Sequence, residues 1–100
     1  MSNTVNEYQV TCVTKPDRYN THEHITHIGG TNWRMTREEA IRRIDAKTAS
    51  FYTLVNGRKA YVGVYREAGK APYLKTHADG YWNDNLLALA ECNSACALVG

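Results

Sequence analysis

The stretch "FYTLVNGRKAYVGVY", residues 51–65, constrains the fold more than any other part of this 100-residue chain. Asn56-Gly57 lies between two runs rich in β-branched and aromatic residues. Both central positions of a type I′ hairpin turn need positive φ, which asparagine and glycine tolerate best. A two-residue loop then sets the register: Val55 faces Arg58, Thr53 faces Ala60 and Phe51 faces Val62. The alternate positions pair Leu54 with Lys59 and Tyr52 with Tyr61, and the row runs on to Gly63 and Tyr65. Side chains alternate across a strand, so the first set makes an aliphatic face and the second an aromatic one. The aliphatic face is the better core.

A helix to cover that face is written just upstream. "TREEAIRRIDAK" opens with Thr36 and has Glu39 three residues on, the spacing of a capping box. Glu38 and Glu39 in the first turn and Lys47 near the end suit the helix dipole. Ala40, Ile41 and Ile44 form a narrow apolar stripe, which leaves Arg37, Arg42, Arg43 and Asp45 to water.

Further strands flank this pair. "YQVTCVT", residues 8–14, alternates Tyr8, Val10 and Cys12 with Gln9, Thr11 and Val13. "HITHIGG" reads as a second strand stopped by Gly29-Gly30, and "PYLKTHA" as another with Tyr73, Lys75 and His77 on one face. Asp79-Gly80 marks a turn, Asp84 and Asn85 shape another, and Leu86, Leu87 and Leu89 dock on the sheet. The expected architecture is a single small α+β domain over residues 1–100, with an ordered core of about 8–92 and flexible termini. It has a mostly antiparallel sheet of four to five strands with one covering helix, in the order β-β-α-β-β-β.

Bulk properties exclude several classes. Twelve basic and ten acidic residues give a net charge of +2, too small to imply nucleic acid without local clustering. No run approaches the roughly 20 apolar residues of a membrane span, and "MSNTVNEYQV" lacks the features of a secretory leader. A cytoplasmic protein is expected. Three cysteines (Cys12, Cys92 and Cys96) leave one over, so the expectation is reduced thiols rather than a disulfide framework.

Four features together ("YQVTCVTKPD", the glycine pair before "NWRMTREEAI", the hairpin, and "ADGYWNDNLLAL") resemble the small bacterial proteins of domain-of-unknown-function family 3892. The resemblance covers residues 8 to about 92, with Asp84, Asn85, Leu86 and Leu87 its most specific element. It implies a small bacterial domain and attaches no activity or catalytic residue; the tail "NSACALVG" lies beyond the shared pattern.

Candidate sites come from the residues themselves. "THEHITHIGG" holds His22, His24 and His27. In an extended segment His22 and His24 share a face, and with Cys12 they are weak candidates for half a zinc site. Cys92 and Cys96, four apart, also converge if the tail is helical. Neither a Cys-x-x-Cys pair nor a His-Glu-x-x-His helix is present, so no metal site and no cofactor are assigned. No nucleophile motif or phosphate-cradling loop occurs, so no catalytic residue is named and an enzyme, metal-dependent or histidine-based, ranks last.

The stronger candidate is the second sheet face. Tyr52, Lys59, Tyr61 and Tyr65, joined by Tyr73 and Lys75, interleave aromatic rings and cations. The loop bearing Arg18, Tyr19, His22, His24 and His27, with Trp33, is a second contact region. Trp33 reads first as an anchor at the helix entry. The expected function is a non-catalytic binding module for a protein partner or a second copy of itself, with no membrane role. Nucleic-acid binding through the tyrosine and lysine face is the alternative.

Overall fold

The computed structural model describes residues 6–16, 24–78, 80–83, 85–92 and 96–99. Among the described residues, ten short strands and one α-helix follow in order: β1 (Asn6–Gln9), β2 (Cys12–Thr14), β3 (His27–Gly29), β4 (Trp33–Thr36), α1 (Arg37–Asp45), β5 (Ala49–Val55), β6 (Arg58–Tyr65), β7 (Tyr73–Ala78), β8 (Tyr81–Asn83), β9 (Ala90–Glu91) and β10 (Ala97–Val99). A 3-10 turn, Asn85–Ala88, lies between β8 and β9. The strands form two five-stranded sheets, β1-β5-β6-β7-β8 and β10-β4-β3-β2-β9. β1–β5, β2–β9 and β4–β10 pair in parallel, and the other ladders are antiparallel. The α+β class with one helix holds; the second sheet goes beyond the single sheet read from the sequence.

The central hairpin has the register set by its turn. Tyr52 pairs with Tyr61, Thr53 with Ala60, Leu54 with Lys59 and Val55 with Arg58. Asn56 and Gly57 have φ of 53° and 75°, the left-handed pair such a turn requires. Phe51, Thr53, Ala60 and Val62 are buried, and so are Leu74 and Thr76 beside them on β7.

The run expected as one strand over residues 8–14 is two. The Val10 N–H donates to Tyr52 O in the first sheet, and the next N–H, of Thr11, donates to Gly29 O in the second. The backbone turns a corner there, and a corner shifts the inward phase: Val10 and then Val13 are buried at 1% exposure. Corners made by strands that change sheets are how two sheets close over one core. That core draws Val13, Ile28 and Met35 from the second sheet and Phe51, Val62 and Leu74 from the first, with Ala40 of α1 and Leu86 of the 3-10 turn between them. Leu87 and Leu89 pack at its margin, as expected.

Helix α1 starts at N-cap Thr36, whose hydroxyl accepts from the Glu39 N–H at 3.1 Å. The Glu39 carboxylate turns to arginines, taking Arg42 Nε at 3.1 Å and Arg43 Nε at 2.6 Å. Those two hydrogen bonds hold its pKa at about 2, below the ordinary 4.5. A depressed carboxylate contributes stability that is complete above pH 4.5 and disappears as pH falls towards 2. Glu39→Gln is therefore expected to flatten the acid limb of a pH–stability curve between those values, read by urea unfolding at each pH.

The helix closes on a Schellman motif. Lys47 N–H donates to Ile44 O at 3.1 Å and Thr48 N–H to Arg43 O at 3.0 Å. Lys47 takes φ of 60° to do so, a position where a Cβ costs about 1–2 kcal/mol. Lys47→Gly is expected to raise the unfolding free energy by about 1 kcal/mol, measured by urea titration.

Candidate binding face

With α1 and the aliphatic residues on the inner side of the first sheet, the alternate residues face outward. Cross-strand pairing aligns Tyr52 with Tyr61, Tyr61 with His77, Gly63 with Lys75 and Tyr65 with Tyr73. Tyr52, Lys59, Tyr61, Tyr65, Tyr73 and Lys75, the six candidates read onto the second sheet face, thus share one surface. The rings of Tyr65 and Tyr73 stack with centroids 5.0 Å apart, and Tyr52 meets Tyr61 edge-on at 6.5 Å.

Trp82 of β8 completes the cluster, a residue the sequence reading left out of the site. Its indole lies edge-on to Tyr65 at 5.3 Å and to His77 at 5.5 Å. Gly63 makes room for it: an added Cβ would lie 3.0 Å from the His77 ring and 3.3 Å from the indole. The signal was available. The hairpin arithmetic used at Asn56-Gly57 applies equally at Asp79-Gly80, where it sets Ala78 against Tyr81 and His77 against Trp82.

Two ammonium groups lie over the rings. Lys59 Nζ is 4.4 Å from the Tyr52 centroid and 5.1 Å from that of Tyr61, and Lys75 Nζ is 5.5 Å from that of Tyr65. Such contacts are worth about 0.5–1 kcal/mol at exposed sites. Lys59 also reaches Glu7 of β1 at 3.0 Å, and hydrogen bonds to Glu7 and then to Tyr61 raise its pKa above the ordinary value. The Glu7 carboxylate thus pairs with one of the two ammonium groups, that of Lys59. Tyr61 and Trp82 remain 38% and 44% exposed, and a hollow of about 220 Å³ opens between His77, Gly80 and Trp82.

The other candidates lie elsewhere. Arg18, Tyr19 and His22, with Asp17, Glu23, Asp79 and Asp84, fall outside the described residues. His24 is exposed, and His27 belongs to β3 of the second sheet. The His27 Nδ1 is 2.9 Å from Thr26 Oγ1, and its pKa is lowered by burial first and by Arg34 second, against an opposing pull from Glu38. Trp33 serves as the internal anchor: its ring meets Tyr8 at 5.5 Å and Phe51 at 6.1 Å, and it lies across Gly30, where any Cβ would overlap it.

The cysteine expectation is corrected. Cys12 and Cys92 form a disulfide, with Cα atoms 4.8 Å apart. The cause is the parallel pairing of β9 with β2, which sets Cys12 against Ala90 and brings Cys92 alongside. Cys12 therefore offers no thiolate to a metal. Cys96 leads into strand β10, so the helical tail that would have joined Cys92 and Cys96 as ligands does not form over Ala97–Val99. Among the described residues, no three histidine, cysteine, aspartate or glutamate side chains gather as a metal would require.

No described helix is long and apolar enough to cross a membrane. No curated protein and no solved structure matched this chain. One family model does match, described as "Protein of unknown function (DUF3892)", over residues 9–90. That span takes in both sheets' shared core, α1 and the entire aromatic face, and the chain belongs to this family.

Proposed function

We propose that the chain is a non-catalytic binding module that receives a protein partner, a second copy of itself included, on the outer face of its first sheet. The observation that carries this reading is the exposed cluster of Tyr61 and Trp82 on the side of the sheet away from α1. Tyrosine and tryptophan are enriched in protein interfaces and charged residues are depleted at their centres. Lys59 is already neutralised by Glu7, which weakens the face as a phosphate-binding surface. A bacterial, cytoplasmic setting belongs to the same reading; there a disulfide is usually transient or redox-sensing.

Light scattering of the full chain tests it. The wild type is expected to self-associate as concentration rises, and Tyr61→Glu to remain monomeric, because a buried unpaired carboxylate is costly. A wild type that is monomeric at high concentration removes the second copy as the occupant.

Single-stranded nucleic acid is the second reading, favoured by Lys75 over the Tyr65 ring and by its stacked neighbour Tyr73. Under it, a fluorescent oligonucleotide binds and is released as salt rises.

A further inference from the structure

The outer side of the second sheet holds a cluster that the binding reading does not use. β9 lies at one edge of this sheet, beside β2, and β10 at the other, beside β4. Cys92 directly follows β9, and Cys96 directly precedes β10. The disulfide lies against Gly29 of β3, where an added Cβ would come within 2.9 Å of Cys12 Sγ and 3.0 Å of Cys92 Sγ. Cys96 keeps a free thiol. Its S–H donates towards the carbonyl oxygens of Gly30 and Thr31, each at 3.9 Å. Cys12 Sγ lies 4.0 Å from that same Gly30 oxygen. A free thiol and one sulfur of a disulfide thus share a single carbonyl as neighbour. Arg34 Nε holds the backbone there, donating to Cys96 O at 3.2 Å.

We propose that Cys12, Cys92 and Cys96 form a thiol–disulfide exchange site, in which the third cysteine moves the crosslink along the C-terminal segment. Cys96 loses its proton to solvent and its thiolate attacks Cys12 Sγ. A Cys12–Cys96 bond forms as the Cys12–Cys92 bond breaks, and Cys92 leaves as a thiolate that takes a proton from water. One disulfide replaces another, so no external oxidant or reductant is needed. Cys92 is half-buried, whereas Cys12 is 7% exposed and remains the fixed partner in both isomers. The family match stops at residue 90, before Cys92 and Cys96. The fixed partner, Cys12, lies within the matched span, and the two cysteines that compete for it lie after that span.

Two experiments on the full chain test this. In the first, oxidised wild type is held at pH 8 without reductant, quenched in acid, denatured and alkylated, and tandem mass spectrometry locates the single label. The label is expected on Cys96 at the start and on Cys92 for about a tenth or more of molecules after equilibration, since the exchange replaces like with like. Label confined to Cys96 overturns the proposal. In the second, Cys92→Ser and Cys96→Ser are compared in one glutathione redox buffer. Cys92→Ser is expected to lose both alkylatable thiols by forming Cys12–Cys96. If both thiols stay free, or only glutathione adducts form, in buffer that fully oxidises Cys96→Ser, the proposal is overturned.

Discussion

Replacing Phe51 with alanine is expected to cost about 3–5 kcal/mol, because a fully buried aromatic ring is removed from a close-packed site. Phe51 is 0% exposed in β5, with β1 on one side and β6 on the other. Its ring stacks on Tyr8 at 5.5 Å and meets Trp33 of the second sheet at 6.1 Å, so it bridges the two sheets. A domain of this size has roughly 5–15 kcal/mol in total. Urea unfolding followed by far-ultraviolet circular dichroism should show the midpoint of Phe51→Ala falling by about a third or more. Leu54→Ala is the control: Leu54 belongs to the same strand but is 50% exposed, and surface changes are usually within about 0.5 kcal/mol. Equal losses in the two variants would mean that Phe51 is not central to the core.

Reducing the Cys12–Cys92 bond is the second large effect. The crosslink closes a separation of 80 residues, and loop-closure entropy for such a span corresponds to about 4–5 kcal/mol, with measured losses commonly about 2–5. Dithiothreitol is expected to lower the urea midpoint of the wild type substantially and to leave a Cys12→Ser protein unchanged. A wild-type midpoint insensitive to reductant would show that the bond contributes nothing to stability.

These two effects also divide what could be read from the chain from what could not. Phe51 opposite Val62, and Tyr52 opposite Tyr61, followed from two residues, because a tight turn transmits its register along both strands by a strict period of two. Thr36 announced α1 in the same local way. The disulfide depends on β9, a two-residue strand that joins β2 in parallel. Two or three residues hold no periodicity, and parallel partners lie far apart in sequence. The same obstacle hid β10 beside β4 and turned residues 8–14 into one strand instead of two. The aromatic face was legible for the same reason as the hairpin. Only Trp82 was overlooked, although the turn before it carried the information. The histidines illustrate the opposite case: a cluster along the sequence carries no partner that fixes its place, and of the two in view His24 is exposed while His27 lies in β3 of the second sheet.

The bend between Val10 and Thr11 has a consequence for how this molecule can be taken apart. Consecutive amides there serve different sheets, so no point along that run separates one layer from the other. Cleaving the backbone at Thr11 would strip β1 from the edge of the first sheet, and with it Tyr8 and Val10 from the common interior. The strands of the two sheets alternate in blocks along the chain, so a single cut yields neither sheet whole without strands of the other. The two layers are lost together.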